Sequence, residues 1–229
     1  MFGSIIAACA RLGLARDVKF ARFAELVQSA GVTGMAVLIL APHAVMANAA
    51  TVETIVMVRH GEKPMLGLGQ LNCQGLNRSL ALPKVIEAKF GKPDLIIAPD
   101  PAQQKKDVGI SYDYVRPLAT IEPTAIYFGM PISSGLGFDQ ADALGTLLLS
   151  EQNNRRLVVV AGEHRIIEAV ARRLVTQLGG SADAVPHWRS RDFDSIYIVQ
   201  IRRGDGPARV DFRVDHEGLD NRSSVCPVG

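Results

Sequence analysis

Three short apolar runs constrain this chain more than any other feature: Thr54-Ile55-Val56-Met57-Val58, Asp94-Leu95-Ile96-Ile97-Ala98 and Leu157-Val158-Val159-Val160-Ala161. Each is too short for a helix, rich in branched side chains and cut off by a polar or glycine-containing turn. Such runs read as strands buried on both faces. Between and after them the apolar spacing is helical. One helix is predicted from Asn72, a candidate cap, towards Lys89, with Pro83 expected to kink or split it and Gly91 and Pro93 to end it. Others are predicted over Arg116 to Phe128, stopped by Gly129 and Pro131, over Ala141 to Leu149, and over Ile166 to Leu178. Ser195 to Ile201 and Arg209 to Val214 flank Gly204-Asp205-Gly206-Pro207 and read as a terminal hairpin. Pro99 to Asp113, with Lys105 and Lys106, reads as a polar loop bordering a site. Strands alternating with helices predict an α/β fold, a three-layer α/β/α sandwich around a mostly parallel sheet.

The first 49 residues differ from the rest. They hold Arg11, Arg16, Lys19 and Arg22 against Asp17 and Glu25, then an uncharged stretch from Leu26 to Val52 centred on Met35 to Ala41. Ala47-Asn48-Ala49 before Ala50 fits a small-x-small cleavage pattern. A spanning helix needs about 20 predominantly apolar residues, and Pro42 and His43 interrupt this one. Residues 1–49 are therefore expected to be a removed export leader, placing the domain 50–229 in the periplasm or outside the cell. The alternatives are an uncleaved anchor and a buried N-terminal helix. Without the leader, the 25 basic and 23 acidic residues of the chain fall to 21 of each. A neutral domain offers no electrostatic argument for nucleic acid or for an anionic membrane surface, and no membrane insertion is expected after cleavage.

Two histidines then occupy equivalent places. His60 follows the first strand and His164 the third. The carboxyl edge of an open α/β sheet is where ligands bind. Arg59 precedes His60, and Arg116 opens a helix after the second strand. A guanidinium offers paired N–H donors that fit phosphate oxygens and stays protonated. Position alone leaves Arg116 open between that role and an ordinary helix surface charge. His187, beside Trp188, is expected at a structural position or at the substrate edge, and His216 in solvent. No H-E-x-x-H, P-loop or post-strand G-x-G-x-x-G pattern occurs. Cys73 and Cys226 form one bridge or remain two thiols, since sequence sets no distance between them.

Val58-Arg59-His60-Gly61-Glu62-Lys63-Pro64 resembles the signature of the histidine phosphatase superfamily, the phosphoglycerate mutase-like proteins. Leu71-Asn72-Cys73-Gln74-Gly75-Leu76 resembles the start of that family's first helix. Arg116-Pro117-Leu118-Ala119-Thr120 resembles its Arg-x-x-x-Thr segment, and Val158 to His164 resembles the strand and turn bearing its second histidine. The four matches fall in order across residues 53 to 201. The longer Pro99 to Val115 stretch replaces the family's short Ser-x-x-x-Arg approach to the arginine.

The resemblance implies a phosphoglycerate mutase-like fold and hydrolysis of a phosphate monoester through a phosphohistidine on His60. It implies that Arg59, Arg116 and His164 hold the phosphoryl oxygens, with Arg59, Arg116 and Glu62 binding substrate, and that no metal or cofactor is needed. Glu163 is the first choice for the proton donor and Glu62 the second. The other reading of Glu163 is a carboxylate that pairs with an arginine or orients a histidine. The expected partner is a small phosphorylated substrate or a phosphoprotein. The alternatives are an exported phosphoryl-binding module without turnover and a phosphoglycerate-type mutase.

Overall fold

A computed structural model describes residues 49–227 of the 229. The expected leader, with its anchor and buried-helix alternatives, lies outside the described residues but for Ala49. Among the described residues no helix is long and apolar enough to cross a membrane.

The three apolar runs form the centre of the sheet. Strands β1 (Thr51–Arg59), β2 (Leu95–Ile97) and β5 (Leu157–Gly162) are parallel in the order β2-β5-β1. The terminal hairpin, β6 (Ser195–Arg203) and β7 (Arg209–His216), continues the sheet, with β6 antiparallel to β1. The order β2-β5-β1-β6-β7 leaves only β6 running against the other four. Ile55, Val56, Met57 and Val58 are wholly buried, so both faces of β1 are covered, as its unbroken apolar run requires.

Alternate residues of these strands feed two cores. On one face Val56, Val58, Ile96 and Val159 pack with Leu82 and Ile86 of α1 (Cys73–Phe90) and Ile121 and Ala125 of α2 (Arg116–Phe128). On the other, Ile55, Met57, Val158 and Val160 pack with Leu148 of α3 (Ala141–Leu148) and Ile167, Val170 and Leu174 of α4 (His164–Gln177). The result is the expected three-layer α/β/α sandwich. Each fully buried aliphatic side chain contributes about 1.5–3 kcal/mol, so the two cores hold the sheet edge that carries the site.

Two expectations are corrected locally. Of the kink or split expected at Pro83, the split does not occur, and α1 runs unbroken through it. A mid-helix proline costs about 3 kcal/mol, and burial of Leu82, Pro83 and Ile86 against the sheet and α2 offsets that cost. The polar stretch 99–113 is not loop throughout, because β3 (Gln104–Asp107) and β4 (Ile110–Asp113) pair as a separate antiparallel hairpin. Its turn, Val108-Gly109, has positive φ at both residues, the geometry that suits the twist of a two-residue hairpin.

Asn72 caps α1 as expected, its Oδ1 accepting from the Gly75 amide at 2.9 Å. Cys73 and Cys226 are disulfide-bonded, 153 residues apart. The bridge fastens the C-terminal tail to the first turn of α1.

Candidate active site

The β1–β5 register sets Arg59 opposite Gly162. The next residues, His60 and the Glu163-His164 pair, therefore leave the sheet side by side at its carboxyl edge. The His60 amide donates to the Gly162 carbonyl at 2.9 Å, and the Gly61 amide donates to Thr120 Oγ1 at 2.9 Å. Thr120 Oγ1 in turn donates to the Arg116 carbonyl, tying the first turn of α2 to the histidine segment. Gly75 is required here by space. A Cβ on it would lie 2.3 Å from the Glu62 carbonyl oxygen, so α1 approaches the 60–62 backbone directly.

His60 is buried, and its Nδ1 lies 2.8 Å from the Gly61 carbonyl oxygen. A carbonyl only accepts, so Nδ1 carries the hydrogen and Nε2 keeps its lone pair. Burial first, then the positive charges of Arg116, Arg59 and Lys105, holds the imidazole well below its ordinary pKa, against the pull of the Gly61 hydrogen bond. The ring is thus neutral and nucleophilic at Nε2 around neutral pH.

Arg59 donates through Nη1 to the carbonyls of Ser190 and Asp192, both at 2.8 Å, and its guanidinium lies 3.8 Å from the Phe193 ring centre. Burial lowers its pKa to about 10, so it remains a cation. Arg116 is buried, which decides its role against a surface charge. Its Nη1 pairs with Asp107 of β3, and Asp107 also accepts from Lys63 at 2.9 Å. Burial would raise the Asp107 carboxyl, but Arg116 and Lys63 hold it at about 2. Gly69 anchors the approach: its carbonyl accepts from the Val115 and Arg116 amides. It sits at φ 67°, and a Cβ there would meet the Asp113 carbonyl oxygen at 2.1 Å.

His164 is the first residue of α4 and is buried, with Nδ1 unpartnered. Burial and then the Arg59 charge lower its pKa to about 4, so it too is neutral. Glu163, just before it, is engaged by the Lys105 ammonium from β3, rather than by an arginine or a histidine. Glu62 turns away from the histidines to Arg78 of α1, which donates to it through Nε and Nη2. His187 is exposed and pairs with Glu168, while Trp188 is buried and hydrogen-bonds back to Asp192. The structure therefore brings together Arg59, His60, Arg116, His164 and Glu163, and diverts Glu62.

Three participants lack a signal in the sequence. Lys105 and Asp107 arrive on the β3–β4 hairpin, whose polar residues show no strand periodicity. Tyr114 precedes Arg116 by two residues and is wholly buried, with its hydroxyl unpartnered. No group of three or more His, Cys, Asp or Glu suited to a metal ion occurs among the described residues.

No family model and no curated protein matches the chain. Several solved structures are similar to it. A protein assigned as the phosphohistidine phosphatase SixA, from Nakamurella multipartitia, shares 14% identity at a TM-score of 0.49, over 72% of this chain and 96% of that one. A phosphoglycerate mutase from Plasmodium falciparum shares 14% at 0.47, over 78% and 95%. A phosphoserine phosphatase from Entamoeba histolytica shares 12% at 0.44, over 73% and 98%. The chain resembles these proteins.

Proposed function

We propose that the chain is a phosphomonoesterase that works through a phosphohistidine on His60. The observation that carries this reading is that, among the described residues, four of the eight buried side-chain polar atoms without partners belong to this site. Arg59 Nε, Arg116 Nε, His164 Nδ1 and Tyr114 Oη all lack a hydrogen bond, and all belong to residues around one neutral, nucleophilic imidazole. Unpaired buried donors cost stability, and a phosphoryl group with its acceptor oxygens is the ligand that would satisfy them.

In the first step the Nε2 lone pair of His60 forms a bond to phosphorus as the P–O ester bond breaks, and the ester oxygen leaves with that electron pair and takes a proton. In the second, a water oxygen attacks phosphorus, the N–P bond breaks, its electrons return to Nε2, and the water gives up a proton. One difficult displacement becomes two easier ones. Arg59 and Arg116 balance the charge on the phosphoryl oxygens, the task cations perform in phosphoryl transfer generally. The Gly61 carbonyl, accepting from Nδ1, stabilises the ring while Nε2 carries phosphorus. Glu163 is assigned as the leaving-group acid, available once its pairing with Lys105 opens. Small phosphate esters and phosphoproteins are the proposed substrates.

Export of the domain is proposed with this reading. The Cys73–Cys226 disulfide supports it, since such bridges persist in oxidising compartments. The engagement of Glu163 by Lys105 favours one competing reading, a module that binds phosphoryl groups without turning them over.

The test is hydrolysis of an aryl phosphate with EDTA present, followed by alkaline quenching and mass spectrometry of the His60 peptide. Turnover with phosphate on His60, both lost in His60→Ala, is the expected result. Hydrolysis undiminished in His60→Ala would overturn the mechanism, and phosphate binding without turnover in the parent would establish the binding module.

A further inference from the structure

One residue of this site has no assigned task. Tyr114 lies between β4 and α2, and its phenol ring is wholly buried. The ring stands edge-on to His60, with centroids 6.2 Å apart and planes at 89°. It also meets Phe138 at 5.1 Å, while the Arg116 guanidinium lies 4.8 Å and the Lys105 ammonium 5.0 Å from its centre. Phenylalanine would fill that volume and accept both cations equally well. What tyrosine adds is a hydroxyl sealed from solvent; the neighbouring Arg116 guanidinium can only donate to its oxygen, so the phenol proton has no acceptor. A tyrosine hydroxyl that is buried normally finds a partner.

The charges acting on this hydroxyl are those of the site: Arg116, Glu163 and Arg59. It therefore lies among the same groups that face His60. Burial keeps it protonated far above the working pH range, so it is a donor whose state does not change with pH.

We propose that Tyr114 is a further catalytic residue, whose hydroxyl donates a hydrogen bond to a non-bridging oxygen of the phosphoryl group during its transfer to and from His60. No bond is made or broken by Tyr114 itself. A phenol ring held by His60, Phe138 and Arg116 would offer this donor to the transition state with little reorganisation. The assignment rests on the phosphatase reading above and names one more group that acts in it.

Tyr114→Phe tests it, because the substitution keeps the ring and deletes only the hydroxyl. The parent and variant are compared on p-nitrophenyl phosphate, whose leaving group needs no acid, and on glycerol 2-phosphate, whose leaving group does. Inhibition by vanadate and by inorganic phosphate is measured alongside. We expect kcat/KM to fall about 10²-fold on both esters, vanadate inhibition to weaken more than phosphate inhibition, and the thermal midpoint to hold or rise. Parent-like constants on both esters overturn the proposal. Loss confined to glycerol 2-phosphate also overturns it, making Tyr114 the leaving-group acid. Activity lost together with the thermal midpoint assigns the hydroxyl to folding and overturns it as well. A parent that binds phosphate but hydrolyses neither ester defeats the phosphatase reading. The affinities of parent and variant for phosphate then still decide whether Tyr114 donates.

Discussion

Two regions of this molecule bury arginine, and they do it in opposite ways. Arg78, wholly buried in α1, is surrounded by carboxylates: Glu62 at 2.8 Å, Glu217 at 2.7 Å, Asp220 at 3.0 Å and Asp194 at 3.3 Å. Every nitrogen of its guanidinium donates. The surplus charge there is negative, and burial, against the pull of Arg78, raises Glu217 to about 8. At the sheet edge the surplus is positive. Arg59 makes its hydrogen bonds to two carbonyls, Arg116 has one carboxylate and a carbonyl, and each has an unpartnered Nε. A buried cation with all its partners within the chain serves the fold. A buried cation short of partners is arranged for something that arrives from outside.

The comparison is broken most severely at Arg78. Replacing it with alanine leaves the buried Glu217 facing the other acidic side chains without its cation, and unfolding in urea should show a loss of about 3–5 kcal/mol. Arg116→Ala should do the reverse. Its kcat/KM on an aryl phosphate should fall by about 10²- to 10³-fold, with a smaller loss of stability than Arg78→Ala, because Lys63 still pairs with Asp107. Equal stability losses, or activity unaffected by Arg116→Ala, would erase the distinction between the two arginines.

The smallest effect concerns pH. The folded pKa values of His60 and His164 lie below the ordinary imidazole value of about 6.5. Their contribution to stability is therefore complete above about pH 6.5 and is lost as pH falls, for His164 towards about 4, since the unfolded chain takes up those protons first. His60, held well below the ordinary imidazole value by burial, stays neutral as pH falls below that value. Corrected for the ester's own second ionisation near about pH 6, kcat/KM at pH 5.5 should stay within about twofold of its value at pH 7. An acid limb centred at the ordinary imidazole value would show that His60 is not held neutral by its surroundings.

How legible each region was in the sequence follows from the same physics. Local periodicity and capping carried the strands at 54–58 and 157–161, the cap at Asn72 and the helix at 116–128, because those signals act within a few residues. His60 and His164 were legible because they interrupt apolar runs at equivalent points. Arg78 was invisible as a buried residue, since a charge on a helix reads as exposed until its partners, 116 to 142 residues away for Asp194, Glu217 and Asp220, are known. The β3–β4 hairpin escaped for a related reason. Its order comes from Asp107 meeting Arg116 and Lys63 and from Lys105 meeting Glu163, and no apolar alternation marks it. Tyr114 reads as one more aromatic near a helix start. Its importance lies in an unsatisfied hydroxyl, a property no sequence pattern encodes.

The Cys73–Cys226 bridge has a topological consequence. It turns the polypeptide from the start of α1 to the tail into a closed covalent ring that contains every described strand and helix except β1. The strand that delivers His60 lies outside that ring, held between β5 and β6 by backbone hydrogen bonds and by its buried side chains. A single cut at the exposed Val108 turn would open the ring yet leave one molecule, with His60 and His164 joined through sulfur. The oxidised domain therefore carries its own protection against separation by a nick, and a thiol reductant removes it.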